Sequence, residues 1–364
     1  MDPYAFEPEL ARAATLPASW YHGEGPHRLD LARIFGRTWQ FVGHTDQLAT
    51  PGDYLATFVG EEDVVVVRGE DGVLHAFSNV CRHRAGALAL GCGHRKKFQC
   101  QYHGWLYDLE GRLLKAPEFE GVKDFDLGVC RQPTFRVDTW GAWVFVNLAP
   151  EGPSLAEWLG AIPQETKARG LEHMRPFKTH DFHVACNWKV YVDNYLEGYH
   201  IPVAHPGLFG QIDYNGYRTE TARWHSQQFA PIKGASPLYE RGLAEGQAPE
   251  ALYYWVFPNL MLNIYPDHVQ VNVILPAGPE ACITRFLWFY PDPGKPGLEA
   301  QWEENFAFSR EVQDEDILLC ETVQKHLRSA HYHQGRFSPQ RENGVHHFHG
   351  LVAEYLRGVP DNLK

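Results

Sequence analysis

The sequence predicts an α+β protein of two domains: a small β domain first, then a larger one in which an antiparallel sheet is closed by a long helix. Three observations carry this reading. The chain has 364 residues, more than a single core usually organises. Between about residues 39 and 148 it runs in short β-branched and aromatic stretches separated by turn residues. Beyond Pro150-Glu151-Gly152-Pro153 the pattern becomes mixed, and it ends in an acidic amphipathic stretch over 298–327 that is far too long for a strand.

In chain order, apolar residues at helical spacing over 29–35 predict a helix, within an N-terminal segment (1–38) expected to pack on the second domain. The β domain is expected over 39–152. Its strands fall at 64–67, 75–77, 105–107 and 140–146, with hairpin turns at Glu70-Asp71-Gly72 and Leu109-Glu110-Gly111. The second domain (153–364) has helix-like stretches at 154–170 and 188–201, then strands near 253–257, 260–264, 269–275 and 282–290. There is no internal repeat or low-complexity tract.

Composition narrows the function. A net charge of −12 argues against a nucleic-acid or anionic-membrane surface, leaving small molecules and protein partners. No apolar run approaches a spanning helix, and residues 1–7 lack the basic and apolar regions of a secretory signal, so a cytoplasmic protein is expected. The 7 cysteines are odd in number and scattered, and with 20 histidines they raise metal binding ahead of disulfides.

Cys81-x-His83 is followed after 16 residues by Cys100-x2-His103, one thiolate and one imidazole on each of two loops in the β domain. Zinc knuckles usually pair like with like; a Rieske 2Fe-2S cluster needs this mixture, two Cys on one iron and two His on the other. The string Asn79-Val80-Cys81-Arg82-His83-Arg84-Ala85-Gly86 with Cys100-Gln101-Tyr102-His103-Gly104-Trp105-Leu106-Tyr107 resembles the Rieske domain of non-haem iron oxygenases, with Gln101 where proline is frequent. A third Cys-x-His, Cys92-Gly93-His94, leaves only five residues before Cys100, too few for a second hairpin, and is read as a turn. The neighbouring Arg95-Lys96-Lys97 reads as a solvated loop or a docking patch for an acidic electron donor.

The second informative stretch is 187–206. Glu197 and His200 are three apart and share a face if helical. His200 and His205 would point about 140° apart on an unbroken helix, so Pro202 is expected to kink the chain and bring them together. Two histidines and a carboxylate make a facial triad. Spacing leaves Asp314, Glu315 and Asp316 as candidates; Val312, Leu319, Cys320 and Val323 fall on the Asp316 side, where a carboxylate among apolar neighbours needs a partner, while Asp314 and Glu315 read as solvated.

The resemblance selects iron ligands His200, His205 and Asp316 in a helix-grip catalytic domain. It also implies that Glu197 bridges His200 to His103 of a neighbouring chain in a head-to-tail homotrimer. The short Asn194-x2-Glu197-x2-His200 spacing resembles the branch acting on quaternary amines, as do 332–337 and 345–349. His346, His347 and His349 are too crowded to converge on one ion and are left to packing. Aromatic residues over 253–265 either line a cation–π cage or fill a sheet core.

The resemblance thus implies a terminal oxygenase with a 2Fe-2S cluster, Fe(II) and O2 that hydroxylates or demethylates a small organic substrate, a quaternary amine. Its electrons would come from NAD(P)H through a separate reductase, with or without a ferredoxin, since no Gly-x-Gly-x-x-Gly fingerprint is present. The rival readings are an aromatic-ring hydroxylating oxygenase, an electron-transfer protein with no oxygen chemistry, and a zinc-stabilised scaffold.

Overall fold

The computed structural model of the chain describes residues 1–233, Arg241 and residues 251–357. Two compact units are present: Phe35–Trp158, and Met1–Ile34 together with Leu159–Lys364. Among the described residues no helix is long and apolar enough to cross a membrane.

The smaller unit is antiparallel throughout. Its strands are β1 (Gln40–His44), β2 (Asp53–Val59), β3 (Glu62–Arg68), β4 (Leu74–Ser78), β5 (Cys92–His94), β6 (Phe98–Gln99), β7 (Leu106–Tyr107), β8 (Leu113–Lys115), β9 (Thr134–Trp140) and β10 (Trp143–Asn147). Seven form a sheet in the order β1-β10-β9-β4-β3-β2-β5, and β6-β7-β8 form a second. The valines at 64–67 explain the packing: all four are fully buried, which a strand covered on one face does not allow. Val65 and Val67 pack with Phe77, Phe98 and Tyr107, whereas Val64 and Val66 pack with Leu48, Val144 and Val146. One strand thus holds two cores, and the first of them contains Cys81 and Cys100.

The larger unit has seven antiparallel strands: β11 (Arg175–Val184), β12 (Arg218–Thr221), β13 (His225–Phe229), β14 (Leu252–Val256), β15 (Leu260–Ile264), β16 (Val269–Gly278) and β17 (Ala281–Tyr290), ordered β11-β17-β16-β15-β14-β13-β12. Their register sets Gln228, Tyr253, Asn263 and Gln270 side by side across four strands. The expected helix over 154–170 is broken into Leu155–Leu159, Ile162–Glu165 and short turns, with Gly160 at φ 56° between the first two.

The long helix, Leu298–His326, packs differently from its sequence pattern. Leu319 and Val323, expected on its inner side with Asp316, are exposed, and the buried positions are Leu298, Asn305, Gln313, Cys320 and Gln324. Carboxamides do the docking. Gln313 Nε2 donates to Thr284 Oγ1 at 3.0 Å and its Oε1 accepts from Tyr191 OH at 2.5 Å. Gln324 Oε1 accepts from Asn187 N at 2.8 Å while its Nε2 donates to Tyr21 O at 3.1 Å. Because the amides of Gln313 and Gln324 are both satisfied, a polar stripe can replace an apolar one.

The helix expected over 188–201 is shorter, Trp188–Tyr195, with Asn187 capping Lys189 N at 3.0 Å. It is held by the N-terminal segment. The helix expected over 29–35 starts earlier, at Glu24–Leu29, and continues as a wider π turn, Asp30–Ile34. Asp30 forms a wholly buried ion pair with Lys189 and accepts from Trp188 Nε1 at 2.9 Å. Burial pushes the Asp30 carboxyl above its ordinary range, against the opposing charge of Lys189. Removing one partner strands a charge, so Asp30→Ala should lose about 3–5 kcal/mol, and Asp30→Leu with Lys189→Met should recover most of it. Urea unfolding of the three proteins measures the difference.

Candidate metal centres

Two loops of the smaller unit, after β4 and between β6 and β7, close in the same way. Cys81 N donates to Gly86 O and Ala85 N to Cys81 O; Cys100 N donates to Trp105 O and Gly104 N to Cys100 O. The fourth residue after each cysteine has positive φ, 57° at Ala85 and 73° at Gly104. The loops approach so closely that a Cβ on Gly86 would lie 2.9 Å from Cys100 Sγ. Both thiols are buried and free. His83 stacks on Trp105, 5.0 Å between ring centroids, and lies 4.5 Å from the His103 ring. Its Nδ1 is buried without a hydrogen-bond partner, as expected of a ligand atom. Tyr107 OH accepts from Arg82 N at 3.1 Å, which leaves its proton for Cys81 Sγ at 3.3 Å. Cys92 and His94 lie apart on the exposed strand β5, with His94 Nδ1 2.9 Å from Asp53 Oδ1. Arg95 donates to Leu88 O at 3.1 Å, while Lys96 and Lys97 are exposed.

The second centre grows from the end of Trp188–Tyr195. Glu197 and His200 are not on one helix: the chain breaks at Leu196 and a new helix, Ile201–Ala204, begins after His200. Glu197 nucleates that turn, its Oε2 accepting from Tyr199 N and, at 3.1 Å, from His200 N. The break needs Gly198, whose added Cβ would meet the Tyr217 ring at 2.6 Å. Pro202 therefore starts a helix rather than ending one, as does Pro206 for Pro206–Gln211, with His205 at the junction.

This geometry aims both imidazoles. Glu197 Oε1 lies 2.5 Å from His200 Nδ1, and Glu315 Oε2 lies 2.6 Å from His205 Nδ1. An ionised carboxylate only accepts, so each Nδ1 carries the proton and each Nε2 turns to Asp316 Oδ1, at 3.6 Å from His200 and 3.0 Å from His205. Asn194 Nδ2 steadies the same oxygen at 2.7 Å. The ligand atoms of His200, His205 and Asp316 lie within 4.8 Å of one another, the one such group among the described residues. The cluster loops supply a different donor set, two thiolates and two imidazoles, the mixture that a Rieske 2Fe-2S group takes.

The triad opens on a cavity of about 170 Å³ walled by Tyr195, Tyr217, Tyr253, Tyr265 and Phe286. Trp255 and Phe257, also considered for a cage, instead pack against Phe348 in the core. Asn194, Glu197 and His200 also border a second cavity, of about 340 Å³, so this stretch is a wall shared by two chambers. The crowded histidines near the C-terminus diverge, as their spacing required. His349 binds Leu16 N at 3.0 Å and Asp193 at 2.9 Å, His346 meets Glu7 O at 2.8 Å, and His347 lies edge-on to Trp255.

Residues 38–126 match the Rieske [2Fe-2S] domain family, and residues 171–358 match the ring hydroxylating alpha subunit (catalytic domain) family. The chain belongs to the Rieske ring-hydroxylating oxygenase alpha subunits. It is 37% identical to a chloroplastic choline monooxygenase of Arabidopsis thaliana, over 97% of this chain and 86% of the relative. It is 32% identical to a carnitine monooxygenase oxygenase subunit of Escherichia coli strain K12, over 95% and 94%. A solved quaternary ammonium Rieske monooxygenase, described for carnitine oxidation and inter-subunit electron transfer, superposes with a TM-score of 0.84 at 26% identity, covering 96% of this chain and 97% of that one.

This Rieske oxygenase is a non-haem iron enzyme with a 2Fe-2S domain, using O2 and electrons from a reductase. A plain electron carrier or a zinc scaffold does not account for the catalytic domain. Glu315, read from the sequence as solvated, is instead the carboxylate behind His205. The signal for it was chemical: a ligating histidine needs an acceptor on its other nitrogen.

Burial alone would lower the pKa of His205, but Asp316 and Glu315 outweigh it and raise it to about 9. An incoming metal must displace that proton. Fe(II) affinity, measured by chelator competition, should therefore rise with pH towards 9 and level off above it. In Glu315→Gln it should fall about 10–100-fold, with the cluster's visible spectrum unchanged.

Proposed function

We propose that this chain is the terminal oxygenase of a multicomponent system that hydroxylates a small quaternary amine. The carrying observation is the His200–His205–Asp316 group facing a tyrosine-walled cavity. Aromatic faces attract a desolvated quaternary ammonium by up to about 2 kcal/mol, and the relatives' names point to the same class. In this reading Cys81 and Cys100 hold one iron of the cluster, His83 and His103 the other, and His200, His205 and Asp316 the mononuclear iron. The unpartnered His83 Nδ1 and the close approach at Gly86 support the first set.

When bound, the cluster passes single electrons and the mononuclear iron activates O2. The chain's own side chains orient and shield. Glu197 and Glu315 fix the imidazole protons on Nδ1, Asn194 steadies Asp316, and the tyrosines hold the cation with a methyl or methylene towards the metal. The balance is C–H + O2 + 2 e⁻ + 2 H⁺ → C–OH + H2O. A hydroxylated carbon attached to nitrogen then loses the amine, so demethylation or C–N cleavage follows.

Glu197 is the bridge to the cluster of a second copy in a head-to-tail homotrimer, fed from NAD(P)H through a reductase and, in some systems of this kind, a ferredoxin. Its position in the wall between two cavities supports this. So do the exposed Tyr199 and Val203 beside it and the exposed Tyr102 and Leu90 beside the cluster loops, since apolar patches of this kind mark interfaces.

The test is a single turnover. Chemically reduced cluster is mixed with O2 and with quaternary amines or aromatic acids. A quaternary amine should accelerate reoxidation and be recovered oxygenated. Acceleration by aromatic acids alone would overturn the substrate class, and acceleration by neither would overturn it as well. In Glu197→Gln, product per reduced cluster should drop at least about tenfold, a barrier change of ~1.4 kcal/mol, while iron content stays.

A further inference from the structure

What stops the helix Trp188–Tyr195 and turns the chain at Glu197 lies outside that helix. The last carbonyls of a helix have no partner within it. Here Tyr195 O accepts from Gln228 Nε2 at 2.6 Å, an amide supplied by strand β13. That bond fixes which way the Gln228 amide points. Its nitrogen is spent on Tyr195, and its Oε1 accepts from the Tyr217 hydroxyl. The Tyr217 ring in turn lies against Gly198, where an added Cβ would meet Tyr217 Cζ at 2.6 Å. Tyr195 and Gly198 flank Leu196-Glu197, so one hydrogen-bonded pair of side chains grips the chain on both sides of Glu197.

The pair is itself anchored. Tyr217 and Gln228 are buried. Burial, and after it the negative charge of Glu197, holds the Tyr217 phenol well above its ordinary pKa, so the hydroxyl keeps its proton and stays a donor. Arg341 Nη1 donates to Tyr214 O at 3.1 Å and to Tyr217 O at 3.2 Å, and its guanidinium lies over the Tyr214 ring, 4.1 Å from the centroid. Asn343 Nδ2 donates to Thr219 O at 2.8 Å, and Gly344 abuts Leu196 O with no room for a Cβ. The start of the helix Asn343–Leu356 therefore closes on the same segment.

Both residues also line the substrate cavity. Gln228 opens the row of polar residues, continued by Asn263 and Gln270, that strand register sets along one wall of it. With its hydroxyl committed to Gln228, Tyr217 has no proton left for a substrate.

Resting on the reading of Glu197 as the bridge, we propose that Tyr217 and Gln228 are positioning residues for it. The ring sets Gly198 and the hydroxyl–amide pair sets Tyr195 O. The carboxylate between them is then held where its Oε2 caps Tyr199 N and His200 N and its Oε1 meets His200 Nδ1. In this role the two residues act through Glu197 alone.

Tyr217→Phe keeps the ring beside Gly198 and removes the hydroxyl, whereas Gln228→Leu takes the amide from both of its partners. Hydrogen exchange, followed by fragment mass spectrometry on the oxidised holoenzyme with no amine present, reads the two amides that Glu197 caps. In each variant exchange at Tyr199 and His200 should quicken at least about tenfold, while the amides of β16 and β17 exchange as in the wild type. Exchange quickened in the strands as well would show a general loss of stability and overturn the inference. Exchange unchanged at Tyr199 and His200 would overturn it too.

Reoxidation of the chemically reduced cluster by O2 is the second readout, taken with or without choline, whichever is faster in the wild type. Tyr217→Phe should slow it at least about fivefold with iron content unchanged. Adding Tyr217→Phe to Glu197→Gln should slow it no further, because residues that act as one unit are not additive. Additive slowing in that double variant, or wild-type reoxidation in Tyr217→Phe and Gln228→Leu beside a slow Glu197→Gln, would overturn the inference and leave the bridge standing. Glu197→Gln as fast as the wild type would instead remove the bridge reading, and this inference with it.

Discussion

The carboxylate behind each histidine is the contact on which the catalytic unit turns. An imidazole can offer a metal only one nitrogen at a time, and which one is settled by what the other holds. Glu197 at 2.5 Å and Glu315 at 2.6 Å accept hydrogen bonds from the two Nδ1–H groups and so direct both Nε2 atoms at Asp316. Neither pairing is made along a continuous helix here. The break after Tyr195 permits the first, because it frees Glu197 to fold back on the turn that carries His200. The two short proline-initiated helices permit the second, because they turn His205 towards the long helix.

Much of the surrounding structure reads as support for that break. The helix Trp188–Tyr195 is clamped from the N-terminal segment by the buried Asp30–Lys189 pair and, a turn later, by Tyr21 OH donating to Asp193 at 2.6 Å. The long helix is pinned by its carboxamides, so that Glu315 and Asp316 arrive together: one to orient a ligand, the other to be one. A greasy interface would tolerate sliding, whereas hydrogen-bonded glutamines specify a register.

Different parts of this arrangement were legible in the sequence to different degrees, for physical reasons. The strands at 64–67 and 282–290 and the helix over 298–326 announce themselves because local composition and length decide them. The cluster loops were legible because covalent spacing alone limits how two Cys-His pairs can meet, and the resemblance then identified them. His200 and His205 could be paired through the proline between them, although the proline acts by starting a helix. Glu315 was hidden because its neighbour Asp316 lies about 100° around the same helix, and only the docked orientation shows that both faces reach the site. The inner face of the long helix was misjudged because Gln313 and Gln324 look like surface residues until their partners on other elements are known. The polar wall of the cavity depends on the register of four strands, which no local pattern encodes.

Iron and acid-labile sulfide counted in the wild-type chain and in Asp316→Ala address the two-centre architecture most directly. About three irons and two sulfides per chain are expected, falling to about two irons with both sulfides and the cluster's visible spectrum intact in the variant. Loss of sulfide along with the iron would mark a misfolded variant, whereas unchanged iron in Asp316→Ala would contradict a mononuclear site built on His200, His205 and Asp316.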